Sequence, residues 1–177
     1  MIKNYKKNLK ILKKNHVYSK EMEHDACGVG LVASTEGKKS RKIVEYGIEA
    51  LKAVWHRGAV DADGKTGDGA GIHVEIPYDF FAEKIETKGH KHDNSEICVG
   101  MIFLPRDNFS VQEDCKTIVE KELTISNFKI YGWRQVPINT KVLGVKANSN
   151  RPEITQILFK HNDKKLVDKD LERKLYE

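Results

Sequence analysis

The stretch His24-Asp25-Ala26-Cys27-Gly28-Val29-Gly30-Leu31-Val32 decides how this chain is read. A single thiol stands before a Gly-x-Gly, which leads into the apolar run Val29 to Ala33, short enough for a buried strand. A thiol at the mouth of a buried strand is held rigidly, and the glycines allow other backbone to come close. Two readings are open at this position. Free cysteine is among the most buried residue types, so Cys27 can be a core residue. It can also be a nucleophile, for which a lone cysteine needs a partner base.

On the N-terminal side lies a polar, lysine-rich leader, residues 1–26. Its seven lysines stand against Glu21, Glu23 and Asp25, so the leader carries +4 of the chain's formal +5. The body from Cys27 onward is nearly neutral and has no basic stripe interleaved with aromatics, which argues against nucleic acid as a partner. The leader has no apolar core of a secretory signal, and its basic residues are all lysine, unlike a typical transit peptide. Cys27, Cys98 and Cys115 are an odd number without framework spacing, which favours a reducing compartment. No apolar run approaches the length of a membrane span. These features lead us to expect a cytoplasmic protein without a membrane partner.

On the C-terminal side, 151 residues suffice for one domain with a substantial core. Ile43, Tyr46, Ala50, Leu51 and Val54 recur at helical spacing, and His56-Arg57-Gly58 ends that helix. A glycine-rich loop, Ala59 to Gly71, follows. Ile72, Val74 and Ile76 then alternate with an outward His73 and Glu75 as a half-buried strand stopped by Pro77. Ile97 to Leu104 reads as a strand. Ser110 and Glu113 form a capping box for a helix whose apolar face is Val111, Cys115, Ile118, Val119 and Leu123. Phe128 to Gly132, Lys141 to Val145 and Ile154 to Phe159 read as further strands, and Asp163 to Glu177 as a charged helix. This order of elements fits stacked sheets with helices outside them.

The other motifs fail on spacing. A phosphate loop needs four residues between its first Gly and the Gly-Lys-Thr, but Gly58 and Gly64 enclose five. A calcium loop starting at Asp61 would place Thr66 where glycine is required and Ile72 where the closing Glu belongs. The loop is instead expected to need positive φ at several glycines, or close backbone approach. His90 and His92 are two residues apart in a polar loop with no further ligand at metal spacing, so no metal site is expected. Trp133 beside Arg134 can be a stacked cation–π pair, but an aromatic at a strand end is more often simply packed.

Taken in order, Asp25 to Gly30, Gly47-Ile48-Glu49-Ala50-Leu51, Trp55-His56-Arg57-Gly58-Ala59, Gly64 to Gly71 and Tyr131 to Pro137 resemble the class II glutamine amidotransferase domain at the N-terminus of glutamate synthases. The resemblance implies an α+β fold, a four-layer αββα sandwich of N-terminal-nucleophile type, incomplete at the C-terminus of this chain. It implies a propeptide at 1–26 and the N-terminal part of the amidotransferase domain at 27–177. It makes Cys27 the catalytic nucleophile and glutamine the substrate. In the full-length family enzyme it implies FMN and an iron–sulfur cluster, neither of them in this portion, with the remaining synthase domains or a small electron-donor subunit as partners. The family's Asn-Gly oxyanion pair has no counterpart, since no Asn-Gly occurs in the 177 residues. The Arg and Asp that clamp substrate in the family belong to segments further on. An isolated chain of this extent is therefore expected to be a fragment with poor turnover, because losing one oxyanion donor typically costs ~10²–10³ in rate. A non-catalytic amidotransferase-like partner or regulatory subunit is the alternative, and it would not need Cys27 freed at an N-terminus.

Overall fold

The computed structural model describes residues 28–55, 58–91, 97–163, 165 and 168–176, with positions 7, 10, 11, 13 and 14. The chain divides into two compact units, Met1–Arg57 and Gly58–Glu177.

In the first unit the run after Cys27 is not a strand. Val29 and Leu31 are 94% and 91% exposed, and residues 28–34 have no regular structure. An apolar run becomes a strand only beside another strand whose N–H and C=O groups it can pair, and none lies beside it among the described residues. Helix α1, Arg41–Ala53, forms as its periodicity requires. Ser40 caps it by accepting from the Lys42 N–H at 3.2 Å, and Arg41 reaches Glu45 one turn on. Its half-buried residues are Ile43, Val44, Gly47, Ile48 and Leu51, so the covered stripe is rotated from the expected one and leaves Tyr46 and Val54 outside it.

The second unit is built on a three-stranded antiparallel sheet in the order β1-β3-β2, with β1 Cys98–Leu104, β2 Phe128–Gln135 and β3 Glu153–His161. Both outer strands run antiparallel to β3, from Cys98↔Phe159 to Leu104↔Glu153 on one side and from Phe128↔His161 to Gln135↔Thr155 on the other. β1 and β2 are therefore parallel to each other. Helix α3, Phe109–Ile125, joins them, long enough for the crossover that parallel strands require.

Period-two alternation along β3 feeds two cores. Leu158 points to one face and meets Phe81 and Ile85 of helix α2, Tyr78–Glu86, together with Ile97 and Tyr131. Ile157 and Phe159 point to the other and meet Phe128, Cys98, Val119 and Leu123 of α3, and Leu171 of helix α5, Asp168–Tyr176. Helices thus pack on both faces of the sheet, α2 covering only part of its side.

Several elements differ from the sequence expectation, each for a local reason. Ile72 to Ile76 is not a strand; Ile72 and Val74 are exposed, and only Ile76 packs on the core. Lys141 to Val145 is occupied by a single 3₁₀ turn, Thr140–Val142, and the start of helix α4, Val145–Asn150. The cap of α3 is Asn108, whose side chain accepts from the Val111 N–H, so Ser110 lies inside the helix and forms no capping box. Along α3 only Val119 and Leu123 join the core, while Ile118 faces outward. Of the last helix the structure describes Asp168–Tyr176, and Asp163 and Lys165 are not helical. Helix α2 has no counterpart in the sequence expectation, although Tyr78, Phe81, Ala82 and Ile85 carry the helical spacing. Among the described residues no helix is long and apolar enough to cross a membrane.

Candidate functional site

Cys27 lies outside the described residues, as do His24, Asp25, Ala26, His56, Arg57 and His92. Of the other segments singled out by sequence, Gly47 to Leu51 sits on α1, and two more form defined structures within the second unit.

Tyr131 to Pro137 occupies the end of β2, and a bulge sets its chemistry. Ile130 pairs with Phe159 and Gly132 with Leu158, so Tyr131 is the extra residue. Gly132 adopts φ 129, a conformation that side chains resist. The inserted residue changes the parity of everything after it. Tyr131 enters the α2-side core, and Trp133, which would otherwise share that face, turns to the α3 side. There its indole N–H donates to Glu120 at 2.6 Å, with the Lys116 ammonium 5.9 Å from the ring centre. Arg134 does not stack on Trp133. Its guanidinium lies 5.1 Å from the Phe80 ring and donates to Gln156, whose amide in turn donates to the Met101 sulfur at 3.1 Å. Met101, Gln156 and Arg134 are register partners, so this polar row crosses all three strands.

The glycine-rich loop is ordered by its own carboxylates. Asp61 N–H donates to Thr66 O at 2.6 Å and Asp68 N–H to Ala59 O at 3.3 Å, with Val60 and Gly67 bridged between them. The Asp63 carboxylate accepts from the Lys65 and Thr66 N–H groups and from the Thr66 hydroxyl at 2.6 Å. These donors, the Thr66 hydroxyl foremost, hold Asp63 far below the usual carboxylate range. Asp61 is lowered chiefly by its 2.6 Å bond from the Lys146 ammonium, and Lys146 is raised by the same contact. Both acids are thus fixed as anions and are spent on holding the loop, which leaves neither free as a proton acceptor.

The loop's glycines are less demanding than the sequence suggested. Only Gly64 takes a positive φ, and at Gly67 a Cβ would stand 2.9 Å from Ala59 O. Sequence gave no hint of the Asp61–Lys146 contact, because 85 residues separate the partners. His90 packs edge-on against Tyr131 at 5.7 Å. Among the described residues no group of three or more His, Cys, Asp or Glu side chains is placed to hold a metal ion.

Residues 27–177 match the family Glutamine amidotransferases class-II. The chain is 51% identical over 175 residues to the glutamate synthase [NADPH] large chain of Azospirillum brasilense, covering 99% of this chain and 12% of that protein. It is 39% identical over 155 residues to ferredoxin-dependent glutamate synthase 2 of Synechocystis, covering 87% of this chain and 10% of that one. A chloroplastic ferredoxin-dependent glutamate synthase of Arabidopsis thaliana is 36% identical over 155 residues. The chain therefore spans about an eighth of the length of such relatives, or less.

Proposed function

Because this chain belongs to the class-II glutamine amidotransferases, we propose that it carries the glutaminase part of a glutamate synthase, with Cys27 as nucleophile. The observation that carries this reading is the start of the family match at Cys27 itself, the lone thiol ahead of Gly28-Val29-Gly30. Similarity to the Azospirillum protein over 99% of the chain reaches into the segment before Cys27, which supports a precursor carrying residues 1–26 as a propeptide.

The chemistry needs the Ala26–Cys27 bond broken. An amide nitrogen is not a base, whereas a free α-amine titrates near pH 7.7–8.0 when unperturbed and can accept the thiol proton. One residue then supplies nucleophile and base together. The thiolate attacks the glutamine side-chain carbonyl carbon, the C–N bond breaks, and ammonia leaves with the proton that the α-amine held. Water, deprotonated by the same amine, attacks the thioester. The C–S bond breaks, glutamate departs and the thiol is restored.

We infer that the fold is the four-layer αββα sandwich. The α3 side of the sheet is roofed by helices, but the α2 side leaves Met101 and Phe103 46% and 63% exposed, a surface suited to a second sheet. The segment Ile72 to Ile76 has the alternation to supply a strand for it. In this reading FMN and the iron–sulfur cluster belong to the remaining synthase domains. Those domains or a small electron-donor subunit are the partners, ammonia is passed on for amination of 2-oxoglutarate, and the protein works in the cytoplasm.

N-terminal sequencing of protein active in glutamine hydrolysis tests the assignment. Cys27 is expected as the first residue, and Cys27→Ala is expected to abolish ammonia release. Active protein that still begins at Met1 refutes the mechanism and favours the non-catalytic alternative for this segment.

A further inference from the structure

Helix α4, Val145–Asn150, starts without a cap of its own. Gly144 occupies the N-cap position and has no side chain to receive the N–H groups of the first turn. A helix of six residues is far too short to persist by propensity alone. Its first turn is instead met by the glycine-rich loop, some eighty residues earlier in sequence. The Thr66 hydroxyl accepts from the Ala147 N–H at 3.3 Å, which is the third helical residue and the one that a cap side chain ordinarily serves. The Asp63 carboxylate stands beside that hydroxyl at 2.6 Å, placing a negative charge at the positive end of the helix, and Lys146 bonds Asp61.

The space at Gly144 fits this arrangement. A Cβ built there would stand 2.2 Å from Thr66 Oγ1 and 2.4 Å from Asp63 Oδ2, the very atoms that replace its missing side chain. The Gly144 backbone, φ −68 and ψ 162, is open to any residue. Glycine is therefore required here for room rather than for conformational freedom.

We propose that loop 59–68 is the N-cap of α4 supplied in trans, and that the two segments order and disorder together as one latch. The loop holds the helix start, the helix start holds the loop, and a ligand or neighbouring element that displaces the loop also releases α4. This inference does not depend on the amidotransferase chemistry.

Amide hydrogen exchange on the 177-residue chain, read residue by residue, tests it. The loop probes are the N–H groups of Asp61 and Asp68. The helix probe is the Asn148 N–H, which donates to Gly144 O at 2.9 Å. Thr66→Val keeps the side-chain shape but removes the accepting oxygen. It is expected to accelerate exchange at Asn148 on the order of fivefold, the usual worth of a cap, and to accelerate the loop probes with it. Gly144→Ser discriminates, because its hydroxyl can cap α4 locally while its Cβ expels Thr66. It should free the loop probes and leave Asn148 protected. Unchanged exchange at Leu158 in both variants verifies that the sheet is intact, and Asp61→Asn serves as a second loop-side variant if Thr66→Val loosens the sheet. The proposal is overturned if Asn148 is unprotected in the parent chain, if Thr66→Val changes the loop alone, or if Gly144→Ser leaves the loop as protected as before.

Discussion

Leu158→Ala probes the centre of the fold. Leu158 is 0% exposed, sits on the middle strand, and is enclosed by Phe81, Ile85, Ile97 and Tyr131. Three carbons leave, worth about 0.8 kcal/mol each in lost transfer energy. The surroundings cannot close over the gap, because β3 is bonded on both edges and Phe81 and Ile85 are carried on a helix. A cavity contribution therefore adds, and the total loss should be about 3–4 kcal/mol. With a urea dependence of roughly 1–3 kcal/mol per molar for a domain of this kind, the unfolding midpoint should fall by roughly 1–4 M. Urea titration followed by Trp133 fluorescence measures this, since Trp133 is bonded to Glu120 across the opposite face of the sheet. Ile118→Ala, at a site 61% exposed on α3, is the control and should change stability by no more than about 0.5 kcal/mol. A Leu158→Ala loss below about 1 kcal/mol, or one matching the control, would refute the claim that the α2 face is a packed core.

Gly132→Ala should cost about 1–2 kcal/mol, because φ 129 is hostile to a Cβ even though the nearest neighbour, the Lys88 side chain, stands 3.6 Å away. If the bulge straightens instead, Trp133 leaves the α3 side, so a shift in its emission accompanies the loss; unchanged emission and stability would count against the bulge. The loop is also expected to respond to acid. Asp61 and Asp63 are depressed below their ordinary value of 3.8, so the stability they contribute is fully present above that value and disappears as pH falls through their lower folded values. Exchange protection of the Asp61 and Asp68 amides should therefore be level between pH 5 and 7 and decline only below about 4, whereas a decline centred near 6 would point to a histidine instead.

What sequence alone determined here is whatever is local in its physics. The apolar runs of β1 and β3 and the period of α1 are legible because each follows from a single repeat, two residues or 3.6. Cys27 stands out in the sequence as a thiol directly ahead of Gly28-Val29-Gly30, and its proposed role rests on that position and on the family match that starts there. The bulge at Tyr131, the turn of Trp133 toward α3, the pairing of Arg134 with Phe80 and the cap that Thr66 gives to α4 were not legible. Each of these joins partners distant in sequence, or depends on which strand lies alongside. The segments Val29 to Ala33 and Ile72 to Ile76 make the same point from the other side: their composition is right for strands, but a strand exists only when a second one receives its hydrogen bonds. Pattern sets what a segment can become, and tertiary pairing decides whether it does.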